Sequence, residues 1–326
     1  MNNSKHFAFT SLVVTLVLTF VHSSAQPQEY PVKPIKMLVG FSAGSISDNT
    51  ARVVAEHAEK TLGQPIVIEN VPGAGATLAA ARASKSPADG YTILFVAMGH
   101  AVAPALYNKL PYDTVNDFTG VATVADARVM LVTQPKYSWK TVPDFVADAK
   151  RQPGKYSFGS SGNGTFLHLI GESLAQSTGM KLLHVPYRSG AEVVTGVMSG
   201  SIDLAFCTVN TCGKHVETGK LKSLGYIAKA RHEQAPDIPT FAEQGVTFDV
   251  GSYNYLLAPA GTPSPILRRL HAAFNGAVTS PAIKARFLVM GLEPVPSNSP
   301  ESVTAFMKSE VDRWAPIVKN LGLKVD

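Results

Sequence analysis

The stretch that most constrains this chain is residues 35–62, where an apolar run, Ile35-Lys36-Met37-Leu38-Val39-Gly40-Phe41, stops abruptly in Ser42-Ala43-Gly44-Ser45-Ile46-Ser47-Asp48. The run is short, partly β-branched and bounded by small polar residues, whereas Ala51, Val54, Ala55, Ala58 and Leu62 recur at helical spacing behind it. The pattern predicts strand, turn and helix. A strand that ends in a Gly/Ser turn opening a helix aims unpaired backbone N–H groups and the positive end of the helix dipole at one spot. Such a spot favours an anion. The same grammar returns about a third of the chain later, where Tyr156-Ser157-Phe158-Gly159-Ser160 runs into Ser161-Gly162-Asn163-Gly164-Thr165 and then a helical pattern over residues 166–178. Two such turns predict two α/β lobes that clamp a small carboxylate between them.

The intervening sequence fits that plan. Residues 64–70 read as a strand closing in Val71-Pro72-Gly73-Ala74-Gly75-Ala76, followed by an Ala-rich helix over 77–84. Gly73-x-Gly75 follows a strand as a dinucleotide fingerprint does, but lacks the third glycine, so no cofactor is expected. Residues 89–97 form a turn and a buried strand closing in Met98-Gly99-His100-Ala101. Strands alternating with helices argue for mostly parallel sheets, whose ligands sit at the carboxyl ends of the strands. Residues 121–133 read as two strand pieces crossing into a second lobe. Strands at 182–187, 202–207 and 221–227 build that lobe, and a long β-type run over 248–258 returns to the first. Helices over 266–279, 281–290 and 300–320 then complete the first lobe. The expected division is residues 26–125 with 254–326 as lobe 1 and 126–253 as lobe 2.

Composition narrows the function. The net charge of +5 comes from 29 basic and 24 acidic residues with no window of clustered Lys/Arg, which argues against nucleic acid. Lys5 and His6, the apolar run 12–21 and Ser23-Ser24-Ala25 read as a secretory signal peptide over residues 1–25, giving a periplasmic protein with no membrane anchor. In an exported chain Cys207 and Cys212 could form a short-loop disulfide, or stay as one buried and one loop thiol. No metal motif is present, since the histidines are scattered and neither His-x-x-x-His nor His-Glu-x-x-His occurs.

The rival to a clamp is an exported esterase, because Gly40-Phe41-Ser42-Ala43-Gly44 matches a nucleophile elbow between strand and helix. Ser42 would be its nucleophile, but no downstream histidine stands in a distinctive context. Of the other polar candidates, His168 sits one turn into the second helix, within reach of a cleft anion or serving the structure. His100 has the same two readings at its own helix entrance. Asp48 is a helix cap or a tie for the turn's N–H groups, or else a ligand contact. Glu172 belongs to the helix surface, and Arg188 is the one cation placed beside a strand-end turn.

These residues also carry a resemblance. The order and spacing of Tyr30 to Ile35, Asn70 to Gly75, Pro87-Ala88-Asp89-Gly90-Tyr91-Thr92, Leu110-Pro111-Tyr112-Asp113, Gly159 to His168, Pro186-Tyr187, Gly219-Lys220-Leu221, Pro239-Thr240 and Ala258 to Pro263 are similar to those of the Bug, or TctC-like, solute-binding proteins of tripartite tricarboxylate transport systems. The resemblance implies a periplasmic binding protein fold of type II-like form, with two α/β lobes joined by two crossing strands. It also implies that the cleft holds a carboxylate through backbone and hydroxyl groups of the two turns, and that the loaded protein delivers it to a membrane permease; a clamp that must open and close is expected to be a monomer. The binding residues expected are Phe41, Ser42, Ala43, Gly44, Ser45, Ile46 and Asp48 of the first turn. The second turn adds Ser160, Ser161, Gly162, Asn163, Gly164, Thr165 and His168, and the neighbouring strand ends add Met98, His100, Tyr187, Arg188 and Asn210. Ser45 and Ile46 stand where a Gly-rich pair is usual, Val71 replaces a common Arg, and Ser189 interrupts a Tyr-basic-Gly-Gly stretch. With Ile46 and Met98 adding apolar surface and no acid beyond Asp48 to meet an α-ammonium group, the ligand expected is an apolar or aromatic mono- or dicarboxylate. A sensor presenting the loaded form to a signalling partner is an alternative use of the same clamp.

Overall fold

The computed structural model describes residues 29–324 except residue 249; the expected signal peptide lies outside the described residues. Within the unit from Pro31 to Asp326, the first lobe opens with β1 (Ile35–Val39), whose apolar residues are all buried. Helix α1 (Ile46–Leu62) follows, capped by Ser45 at one end and stopped by Gly63 in the left-handed conformation at the other. Then come β2 (Ile66–Asn70), α2 (Thr77–Ala83), β3 (Thr92–Val96), α3 (Gly99–Leu106) and the long β4 (Phe118–Ala127). The chain crosses into β5 (Met130–Thr133), α4 (Val142–Arg151), β6 (Ser157–Ser160), α5 (Phe166–Thr178), β7 (Leu183–Pro186), α6 (Gly190–Ser199), β8 (Leu204–Cys207), α7 (Val209–Glu217) and β9 (Lys222–Tyr226). It returns through β10 (Ser252–Pro259) to α8 (Ser264–Val278), α9 (Pro281–Val289), β11 (Glu293–Pro294) and α10 (Pro300–Asn320).

The strands form two sheets, a six-stranded one ordered β11-β4-β10-β3-β1-β2 and a five-stranded one ordered β7-β6-β8-β5-β9. The ladders joined by helical crossovers, β1 with β2 and β3, and β6 with β7 and β8, are parallel as expected. The sheets as wholes are nevertheless mixed, because β10, β5 and β11 run antiparallel to their neighbours. The reason lies in the connections: β5 and β10 enter their sheets from the other lobe, so each runs opposite to the strands whose ends face the crossing. The carboxyl ends of β1, β2 and β3 therefore share one edge of the first sheet, and those of β6, β7 and β8 one edge of the second.

Where the chain crosses, a buried polar knot holds the lobes in register. Arg128 Nε lies 2.6 Å from Asp126 Oδ2, and the same guanidinium donates to the Tyr253 hydroxyl at 3.1 Å and to the Ile227 carbonyl at 3.4 Å. Tyr226 of β9 donates to Glu293 of β11 at 2.8 Å. A second tie is apolar. Met98, Ala101 and Val102 of the α3 region and Trp314 and Val318 of α10 share one buried cluster with Phe158, Leu169, Ile170 and Leu174 of the second lobe. The C-terminal helix packs on β4 and α3 of the first lobe and also on α5 of the second. Cys207 and Cys212 are disulfide-bonded, which settles the two readings left open above and pins the first turn of α7 to the end of β8.

Candidate functional site

The first turn is held from behind by Asp48. This side chain is 1% exposed, accepts from Gly44 N (2.8 Å) and Arg52 Nε (2.9 Å) through Oδ2, and from Asn70 Nδ2 (2.8 Å) through Oδ1. Burial pushes its pKa up, but the hydrogen bonds from Arg52, Asn70 and Gly44 together outweigh this and hold the carboxyl below its ordinary value. Asp48 is therefore an anionic tie for the turn. Asn70 carries the tie onward by donating to the Phe41 carbonyl at 3.0 Å. The Ser45 hydroxyl accepts from Asp48 N at 3.2 Å and Gly44 sits at φ +80°. The exposed residues Ser42 and Ala43 begin the mouth of the turn, and Ile46, 51% exposed, adds an apolar side chain there. Among the described residues the N–H groups of Ser42, Ala43, Ile46 and Ser47 have no acceptor. Among the described residues no imidazole is hydrogen-bonded to Ser42.

Beside this turn, residues 73–76 trace a left-handed turn in which Ala74, Gly75 and Ala76 have φ of 47°, 63° and 76°. Gly40 makes room for it, since a Cβ there would lie 2.3 Å from the Ala76 Cβ. Within the turn itself Gly73 and Gly75, at φ +132° and +63°, hold backbone conformations that favour glycine.

The second turn is built differently. Ser160 is fully buried; its hydroxyl donates to the Gly162 carbonyl (2.9 Å), accepts from Gly162 N (3.1 Å) and lies 2.6 Å from His184 Nε2. Gly164 N donates to His168 Nδ1 at 3.0 Å. The Thr165 hydroxyl turns back to the Gly162 carbonyl at 2.7 Å, so it does not cap α5 as Ser45 caps α1. Among the described residues the N–H groups of Phe166, Leu167 and His168 consequently have no acceptor. These are three convergent donors at the positive end of a 13-residue helix. A side chain at Gly164 would meet Leu106 of α3 at 4.0 Å, so this turn lies against the first lobe. Tyr187 N donates to the Ser160 carbonyl at 2.8 Å, bringing the exposed Arg188 beside the same turn.

Several expected contacts point elsewhere. His100 is buried inside the first lobe, its Nε2 3.2 Å from the Thr114 carbonyl and its ring against Tyr112 and Phe118. Met98 is 4% exposed within the cluster that joins the lobes, and so offers little free apolar surface. The Tyr187 ring packs on Gly159 and Gly196 of its own lobe. Asn210 donates to the Val289 carbonyl, bridging α7 to the end of α9. The residue missed by sequence reasoning is His184, whose ring stacks on His168 with centroids 3.9 Å apart. Its signal was position: in a parallel ladder the strand after a Gly-Asn-Gly turn lies directly beside the strand before it, and His184 pairs with Phe158.

Two α/β lobes joined by crossing strands, with donor-lined turns at their strand ends, define a solute-binding protein of the periplasmic binding type. The chain belongs to the TctC family, the tripartite tricarboxylate transporter family receptor, whose model matches residues 50–323. Members are binding proteins and not enzymes, so the esterase alternative falls. Protein BugT of Bordetella pertussis is 32% identical over 299 residues, covering 91% of each chain. A Rhodopseudomonas palustris structure with adipate is 27% identical with TM-score 0.71, covering 91% of this chain and all of the other. MatC from the same organism, with bound malate, is 29% identical with TM-score 0.68, covering 89% of this chain and all of the other. Among the described residues no helix is long and apolar enough to cross a membrane.

Proposed function

We propose that this chain is an exported receptor that closes its two lobes, divided near residues 126 and 253, over a small carboxylate and hands it to a membrane permease. The observation that carries this reading is the open N-terminus of α5, where the Thr165 hydroxyl is turned away and three N–H groups have no acceptor among the described residues. A carboxylate would take these donors while its far end meets the unpaired N–H groups of the first turn. Arg188 stands beside the second turn as a cation for a second carboxylate. The exposed Ile46 favours a ligand with an apolar middle over an amino acid, whose ammonium group would find Asp48 already occupied by Gly44, Arg52 and Asn70. The malate and adipate carried by relatives are of the same chemical class.

The test is a thermal-shift and calorimetric panel of malate, adipate, terephthalate and glutamate at millimolar concentration. A bound ligand raises Tm in proportion to RT ln(1 + [L]/Kd). Adipate or terephthalate should shift the protein more than glutamate. A panel in which no carboxylate shifts it would overturn the reading, and a preference for glutamate would overturn the apolar part of it.

A further inference from the structure

The second turn is gripped at both ends by one pair of stacked imidazoles. With the Ser160 proton directed to the Gly162 carbonyl, His184 donates from Nε2 to the Ser160 hydroxyl, which in turn accepts from Gly162 N. At the other end of the turn His168 Nδ1 accepts from Gly164 N. That bond places the His168 proton on Nε2, on the side of Glu172, whose Oε1 lies 3.9 Å away. The rings lie at 19° to one another over Phe158, and His168 is 5% exposed.

We propose that His168 and His184 are positioning residues of the ligand site: a neutral, stacked pair that fixes the start of the turn through Ser160 and its end through Gly164. The α5 donors are thereby left aimed at the cleft. His168 does not itself take the ligand through Nδ1, because that lone pair is occupied by the main chain. Gly162 at φ +125° and Gly164 at φ +75° give the turn backbone freedom, which the two imidazoles would restrict from either end. Burial lowers the pKa of both rings, His184 to about 4, which keeps the pair neutral and the Nδ1 acceptor intact at neutral pH. A charged His168 would carry a proton at Nδ1 facing the Gly164 N–H.

The consequence for ligand affinity rests on the receptor reading above; the consequence for the turn does not. Four variants of the full chain separate side-chain bulk from hydrogen bonding. His168→Asn keeps an acceptor at the position of Nδ1, whereas His168→Phe keeps the ring and loses it. His184→Gln keeps a polar atom at the position of Nε2, whereas His184→Phe keeps the stack alone. In 15N-labelled wild-type protein, His168 should show an unprotonated Nδ1, and the Gly164 amide should exchange slowly. Slow exchange should persist in His168→Asn and be lost in His168→Phe. Affinity for whichever of malate, adipate or terephthalate binds the wild type should fall about tenfold in the two Phe variants. Both polar variants should rescue it, while Tm without ligand stays alike within each pair. A proton on His168 Nδ1, or a Gly164 amide equally protected in His168→Phe, overturns the assignment whether or not any of the three acids binds. Equal affinities in Phe and polar variants restrict the pair to folding and overturn its role in the site. If neither these acids nor glutamate bind the wild type, the receptor reading fails and the spectra alone decide the positioning claim.

Discussion

At the scale of single residues, the buried histidines show how one residue type serves different ends in different settings. His100 is pushed to a pKa of about 4, first by burial and against a smaller opposing pull from the Thr114 carbonyl. Its folded value lies below the unfolded value of 6.5, so protons favour the unfolded chain. The stability that depends on a neutral His100 is complete above about pH 6.5 and is lost as the pH falls toward 4. The loss reaches up to about 3 kcal/mol for a shift of this size. Urea denaturation at neutral and acid pH should therefore show a steep acid loss in the wild type and a flatter profile for His100→Phe, whose ring fits between Tyr112 and Phe118. Parallel profiles would place the acid sensitivity elsewhere. His100 also marks the limit of sequence reading at this scale. Its place at a helix entrance after a strand was legible, but the direction of its side chain depends on Tyr112, Thr114 and Phe118, which follow on a loop and strand whose return no local pattern encodes. Asp48 was legible as a tie, because a carboxylate three residues past a serine at a helix start has backbone donors on hand.

At the scale of elements, both strand-turn-helix units could be read from the chain because the apolar period changes abruptly from strand to helix at each. What the period could not report was the left-handed turn at residues 73–76, where the glycines mimic a cofactor motif. Nor could it report α7, whose short polar helix has few apolar positions, or β11, only two residues long. The left-handed turn and the strand end at Gly40 form one unit. An added Cβ in Gly40→Ala would fall 2.3 Å from the Ala76 Cβ and 3.0 Å from its Cα, backbone that cannot swing aside. The substitution should cost about 1–3 kcal/mol by overpacking and weaken ligand binding by displacing the first turn. Ala74→Gly acts in the opposite sense. Ala74 is exposed at φ +47°, where a Cβ is disfavoured by about 1 kcal/mol, so glycine there should be neutral or mildly stabilising. Chemical denaturation of the two variants beside the wild type checks both. A Gly40→Ala protein as stable as the wild type would show that Ala76 does not seat against the strand end.

At the scale of the whole molecule, the two crossing strands are only part of what joins the lobes. The division into two sheets was readable because each lobe repeats the same alternation, but the apolar tie through α10 was not, since a C-terminal amphipathic helix shows the sequence only that it has a buried face. That face is shared. Trp314, fully buried, packs in the cluster that also contains Phe158, Leu169 and Leu174 of the second lobe, and its indole N–H donates to Glu310 at 3.2 Å. A helix anchored on the first lobe and packed against α5 should couple the lobes energetically as well as geometrically. Trp314→Ala should cost about 3–5 kcal/mol through the lost burial and the cavity left behind. The loss should not stay within the first lobe, whose sheet α10 covers. Native-state hydrogen exchange should show amide protection falling in β6 and β8 as well as in β4. Faster exchange in β4 alone would mean that the lobes open independently and that α10 belongs to the first lobe only. Because α5 carries the open donors of the second turn, a coupled loss also predicts weaker carboxylate binding in Trp314→Ala, although the indole is fully buried in the core.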